Sequence, residues 1–276
     1  MTKRKDILEK VQRLNPIDDV LFQKMAESKD FCQEILRVFL EEPKLVVIDH
    51  TPQKNYQNLQ GRSIRVDLIC NASDFHSSEG TIVNVEVEKQ SVDHIRRVRS
   101  HGDVITANIT DAGSQFSDVP DLIIVYITRS NILKSKRAKD VVERIMVRTD
   151  KIVDDGLTEI FINGIIDDGT QIARLMRVFT KDSIYDSELF PETTLLKNHY
   201  KNTEEGNSEM YAIVEELIGK EKEKIFQDGE KSGMQKGMHE IVDLFQKRFE
   251  ATMSDEMKEF FTSLLAQSNS KKSILE

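Results

Sequence analysis

A chain of 276 residues can form one large domain, or one domain with an appendage, and 38% hydrophobic against 32% charged residues excludes a disordered composition while being polar for a globular protein. The formal net charge of −9 excludes a protein that holds nucleic acid through diffuse basic charge alone. It leaves room for one that grips nucleic acid locally, through a basic strip and a metal.

The first fifteen residues are charged and read as a helical or frayed lead-in. Asn15-Pro16 predicts an N-cap followed by proline at the first helical position, opening a helix with Ile17, Leu21, Phe22 and Met25 at helical spacing. A second helix is predicted over 30–40, stopping before Pro43. Residues 45–48 predict a first strand. Residues 64–70 predict a second, with Ile64, Val66, Leu68 and Cys70 on one face and Arg65 and Asp67 on the other. A third strand, 81–88, alternates Val83, Val85 and Val87 with Asn84, Glu86 and Glu88.

A helix over 92–108 carries Ile95, Val98, Gly102 and Ile105 as an inward stripe, with Gly102 small enough for close approach to a sheet. The apolar run 122–127 predicts a central strand covered on both faces. Further strands are predicted at 142–148 and 159–163. Beyond Gly169 the pattern is helical: Ile172, Leu175, Met176 and Phe179 mark one amphipathic helix, 195–200 another, and a long helix runs from 207 towards 249. Within it Gly229, Gly233 and Gly237 recur every fourth residue, a pattern for close helix packing or a hinge and not a phosphate loop. A last helix is predicted over 255–267.

The expected fold class is α/β, an α+β mixed sheet flanked by helices. The expected organisation is a core of 1–168, a helical packing region of 169–206 and a helical C-terminal extension of 207–276. Cys32 and Cys70 sit in apolar stretches without metal spacing and are expected as buried free thiols. Without a signal-type segment or a run of about 18 apolar residues, the chain is expected to be soluble, cytoplasmic and independent of membranes.

The chemistry-bearing pattern is the carboxylate set Asp67, Glu86 and Glu88 on neighbouring strands. Metal-dependent phosphodiester cleavage needs oxygen ligands for Mg²⁺ or Mn²⁺, and same-face residues on strands just under ~5 Å apart can supply them. Asp67 and Glu86 would be direct ligands, the main-chain carbonyl of Val87 a third, and Glu88 would meet water or phosphate. Spacing alone serves a solvated acidic sheet face equally well, with Arg65 pairing Glu86 or Glu88. Directly after the acids, however, comes the densest basic cluster of an acidic chain, His94-Ile95-Arg96-Arg97-Val98-Arg99-Ser100-His101. Arginine forks suit phosphate oxygens, so Arg97, Arg99 and His101 are candidate phosphate contacts, against the alternative of a salt-bridged surface helix.

The segments Asn15-Pro-Ile-Asp-Asp-Val-Leu-Phe22, Gly61-Arg-Ser-Ile-Arg-Val-Asp67, Val83-Asn-Val-Glu-Val-Glu-Lys89 and Arg97-Val-Arg-Ser-His-Gly-Asp-Val-Ile-Thr-Ala-Asn108 together resemble the PD-(D/E)XK nuclease family transposases, close to the bacterial recombination-promoting nuclease (Rpn) group. The resemblance runs from about residue 15 to 215 and takes in Val125-Tyr-Ile-Thr128 and Phe161-Ile-Asn-Gly164. It implies a restriction-endonuclease-like core, DNA as partner and hydrolysis of phosphodiester bonds with Mg²⁺ or Mn²⁺. Asp67 becomes the metal-binding aspartate, Glu86 the second acid, and Asp19 matches the acid of the first-helix motif, although that side chain could equally serve the helix dipole. The third position falls on Glu88, where the superfamily usually has lysine and this subgroup often glutamine. That departure leaves three readings: Glu88 is a further ligand, Lys89 or Arg97 supplies the positive charge, or the site is weak or dead and the fold acts as a binding module through its C-terminal helices. The glycine-bearing helix, with Met234 and Met238, is expected to drive homo-oligomerisation.

Overall fold

The computed structural model describes residues 2–58, 61–73, 80–88, 94–220, 222–223 and 227. The chain divides into two compact units, Met1–Val214 and Glu215–Glu276. In the second, residues 215–220 are helical and carry an i,i+4 pair between Glu216 and Lys220. The glycine repeat and the helix expected over 255–267 lie outside the described residues.

The first unit begins with α1 (Thr2–Gln12), α2 (Asp19–Met25) and α3 (Lys29–Leu40). The helix expected to open at Pro16 starts at Asp19 instead, because Asn15 is committed elsewhere. Its side chain donates to Asp182 at 2.7 Å, and its backbone N–H donates to Asp18 at 2.8 Å. Asp18 therefore stands at the N-cap position, while Ile17, Leu21, Phe22 and Met25 are all fully buried. Ser28 caps α3 by accepting from the Phe31 N–H at 3.3 Å, and Glu41 ends it in a left-handed conformation.

Ten strands follow in chain order with one helix among them: β1 (Val46–Pro52), β2 (Asn55–Tyr56), β3 (Ile64–Arg65), β4 (Leu68–Ser73), β5 (Thr81–Glu88), α4 (His94–Ile109), β6 (Leu122–Thr128), β7 (Lys139–Val142), β8 (Ile145–Met146), β9 (Lys151–Ile152) and β10 (Leu157–Asn163). Six of them form a mixed sheet in the order β1-β4-β5-β6-β10-β7. β1, β4 and β5 are an antiparallel meander; β5, β6 and β10 run parallel; β7 closes the edge antiparallel to β10. α4 is the crossover that parallel β5 and β6 require.

Two expected strands are divided. The run 64–70 breaks at Val66 and Asp67, so that β3 pairs with β2 and only β4 joins the main sheet; the expected common face divides with it, Ile64 and Val66 joining Ile69 in the core with α4 while Cys70 meets Cys32 of α3. The run 142–148 resolves into the edge strand β7 and a separate hairpin of β8 and β9.

Both faces of the sheet are covered. Val98, Val104 and Ile105 of α4 pack with Ile69, Ile124, Tyr126 and Phe161 in one core. Gly102 lets the helix in: a Cβ there would lie 3.1 Å from Ile124 Cδ1. On the other side α3 packs on β1, and its Cys32 thiol meets Cys70 of β4. Both cysteines are buried and free, as the sequence predicts, and this contact together with burial pushes the Cys32 thiol up.

α5 (Gln171–Thr180) and α6 (Pro191–Asn202) complete this layer. Phe31 stacks on Phe179, and Phe22 and Phe39 meet the pair edge-on. Fully buried Lys197 donates to the carbonyls of Val178 at 2.8 Å and Ile184 at 3.0 Å, and also to that of Lys181, so one ammonium satisfies the end of α5 and the turn after it. Among the described residues no helix is long and apolar enough to cross a membrane.

Candidate active site

The site forms where β4 and β5 part. Their ladder ends at Leu68 opposite Val85, and the preceding residues peel away: Val66 donates its N–H to Lys54, and the Asp67 carbonyl accepts from the Gln53 N–H. Val87 would then lose the partner for its N–H. Asp67 supplies one from its side chain, accepting at Oδ2 over 2.8 Å. Asp67 thus stands at a bend just before β4, within electrostatic reach of Glu86. A strand residue presents its N–H and C=O to the same neighbour, so the Val87 carbonyl faces the Asp67 edge as well.

Glu86 is only 2% exposed and Asn84 is fully buried, which removes the reading of a solvated acidic face. Nor, among the described residues, does an arginine pair with Glu86. Its Oε1 accepts from Asn84 Nδ2 at 3.1 Å and from His101 Nδ1 at 3.2 Å. An acceptor on that oxygen assigns the proton to Nδ1 of His101. Each carboxylate is therefore anchored through one oxygen. Asp67 Oδ1 and Glu86 Oε2 carry no hydrogen bond among the described residues.

The two acids press on each other. Burial and then the charge of Glu86 raise Asp67 to about 8; the Val87 N–H and Arg97 act in the opposite sense, and Asp19 adds to the rise. Asp19 itself is raised, chiefly by burial, with the Gln23 hydrogen bond and Arg65 opposing and Glu88 and Glu86 adding to it. α2 packs on β5, so the structure brings the expected accessory acid to the same cluster as Asp67, Glu86 and Glu88.

The basic residues separate. Arg97 is half exposed and forms an ion pair with Glu88, within electrostatic reach of Asp67. Arg99 lies in the field of Glu159 on β10, on another side of α4. His101, expected on phosphate, is buried and turned onto Glu86. Lys89 lies outside the described residues.

Two features escape the sequence reading. His94 is buried with Nδ1 2.7 Å from the Tyr126 hydroxyl. Tyr126 sits opposite Glu86 in the parallel register, hence on the same face. Burial lowers His94 and raises the Tyr126 hydroxyl. The other is Asn84, visible in the sequence as a face-mate of Glu86 but without an assigned task.

Among the described residues no three His, Cys, Asp or Glu side chains are gathered closely enough to hold a metal ion as they stand. No protein-family model, curated protein or solved structure matches the chain.

Proposed function

We propose that the protein is a metal-dependent DNA endonuclease of the PD-(D/E)XK transposase or recombination-promoting type, hydrolysing phosphodiester bonds in the cytoplasm. The observation that carries this is the pair Asp67 and Glu86. Two carboxylates from adjacent segments are fixed through one oxygen each and keep the other open among the described residues, and burial followed by the charge of Glu86 raises Asp67.

The donor chemistry fits Mg²⁺ or Mn²⁺. Two carboxylates and a main-chain carbonyl are hard oxygen ligands, and Mg²⁺ characteristically takes one or two carboxylates while keeping several waters, so a three-side-chain cage is not required. Buried Asn84 Oδ1, which has no hydrogen-bond partner among the described residues, is an acceptor of the kind a hydrated ion satisfies. Asp67, Glu86 and the Val87 carbonyl would hold the ion. When bound, it would polarise a phosphate and acidify a water. Arg97 would hold phosphate oxygens at the mouth of the site, exchanging Glu88 for substrate. Asp19 adds negative charge beside the ligands. The succession of meander, crossover helix and parallel strand supports the nuclease-like reading of the core.

The test is conversion of supercoiled plasmid by the purified full chain with Mg²⁺ or Mn²⁺. Wild type is expected to nick or linearise it, while Asp67→Ala and Glu86→Ala fall to the level seen with chelator. Equal activity in all three preparations would mean a contaminant.

One observation favours a second reading, a nuclease-fold binding or regulatory module. Glu88, which by the resemblance falls where the superfamily usually has lysine, forms an ion pair with Arg97. DNA binding by wild type without any metal-dependent cleavage would select it.

A further inference from the structure

We infer that Asn84 and His101 are positioning residues for Glu86: by occupying Oε1 from two different elements, they reserve Oε2 for a divalent ion. The inference rests on the metal-site reading above and assigns it the side chains that set ion affinity.

A glutamate on a strand has several rotatable bonds and would present its carboxylate in many orientations. Here one donor comes from two residues earlier on the same face of β5 and the other from α4. A carboxylate oxygen has two acceptor positions, and these two donors fill both on Oε1. Ligands to metals are commonly oriented by such outer partners.

The state of Asn84 separates this role from plain packing. Its side chain is fully buried, yet Oδ1 has no partner among the described residues. Turning the amide over would set oxygen against oxygen at Glu86, so holding Glu86 is what leaves Oδ1 unpaired. An unpaired buried acceptor is a net cost to folding. An apolar residue at this position in a covered strand would avoid it. The one hydrogen bond this buried amide makes among the described residues is the one to Glu86.

The experiment is titration of Mn²⁺ into the full chain, followed by electron paramagnetic resonance, with thermal midpoints measured alongside. Wild type is expected to bind one ion that Asp67→Ala fails to bind. Asn84→Val removes both a hydrogen bond and the unpaired acceptor. It is expected to keep its thermal midpoint while weakening Mn²⁺ binding by about 10-fold. His101→Leu is expected to weaken binding about as much, and His101→Asn, which retains a donor near the Nδ1 position, to recover most of it. Wild-type affinity in both Asn84→Val and His101→Leu, with binding still lost in Asp67→Ala, would overturn the positioning role and leave the metal site standing. Equal Mn²⁺ binding by wild type and Asp67→Ala would overturn both.

Discussion

Asp67 adds its own pH dependence to the stability of the ion-free protein. Its ordinary value is 3.8, and burial followed by the charge of Glu86 raises it to about 8 in the folded chain. Between those values the unfolded chain has released the proton and the folded chain retains it. The stability this group contributes is therefore present at low pH and is lost as pH rises towards about 8. Asparagine imitates the protonated acid and can still accept the Val87 N–H. The ion-free wild type is expected to lose more thermal stability than Asp67→Asn between about pH 5 and pH 8. Mg²⁺ at the upper pH should raise the midpoint of wild type only, since a ligand that binds the folded state stabilises it. Parallel pH slopes for the two proteins in differential scanning calorimetry would contradict the assignment. Alternation along 81–88 made Glu86 and Glu88 legible as face-mates in the sequence. The partner of His101 was not legible. Its charge class suggests phosphate, and only the placement of α4 on β6, which brings His101 Nδ1 3.2 Å from Glu86 Oε1, reveals that partner.

α4 carries several of the side chains that surround the acids, and its closeness to the sheet depends on Gly102. A Cβ there would lie 3.1 Å from Ile124 Cδ1 and 3.9 Å from Leu157 Cδ1. Both are ends of rotatable side chains, so Gly102→Ala should be accommodated. Gly102→Leu adds three further carbons to a filled space and is expected to cost about 1–3 kcal/mol, lowering the thermal midpoint by several degrees. Because His101 precedes it, Mn²⁺ affinity should fall in the same variant. A wild-type midpoint and affinity for Gly102→Leu would show that the approach is loose. This helix was readable from its apolar stripe and its glycine. The break at Asp67 was not, for a physical reason: the sequence alternates on from Ile64 to Cys70, but at the break the backbone changes partners, and Ile64 and Val66 turn into the core with Ile69 and α4 while Cys70 meets Cys32 of α3. Periodicity reports side-chain facing only within an unbroken strand. It is blind to which strand takes the backbone, and therefore to the bend that brings Asp67 to the Val87 N–H.

At the scale of the molecule, the first unit contains every acid of the candidate site, and its end is set by contacts rather than by a change in composition. Met210 is 1% exposed, Glu209 pairs with Lys24 of α2, and Arg4 of α1 lies over the Tyr211 ring at 5.8 Å. Residues 207–214 thus belong energetically to the unit that ends at Val214. Surface pairs such as Lys24 with Glu209 contribute little, about 0–1 kcal/mol, so the weight falls on Met210, whose burial contributes about 1.5–3 kcal/mol. At roughly 2–4 °C per kcal/mol for a unit of this size, a chain ending at residue 206 is expected to melt several degrees below one ending at Val214. The chain ending at Val214 should match the full chain in Mn²⁺ affinity, because Asp67, Glu86, Asn84 and His101 all lie within it. If residues 215–276 drive self-association, sedimentation velocity should show the full chain heavier than a monomer and the chain ending at Val214 monomeric. A monomeric full chain would remove that role from residues 215–276 and leave the candidate site unaffected. A chain ending at Val214 that folds but no longer binds Mn²⁺ would mean that the extension completes the site.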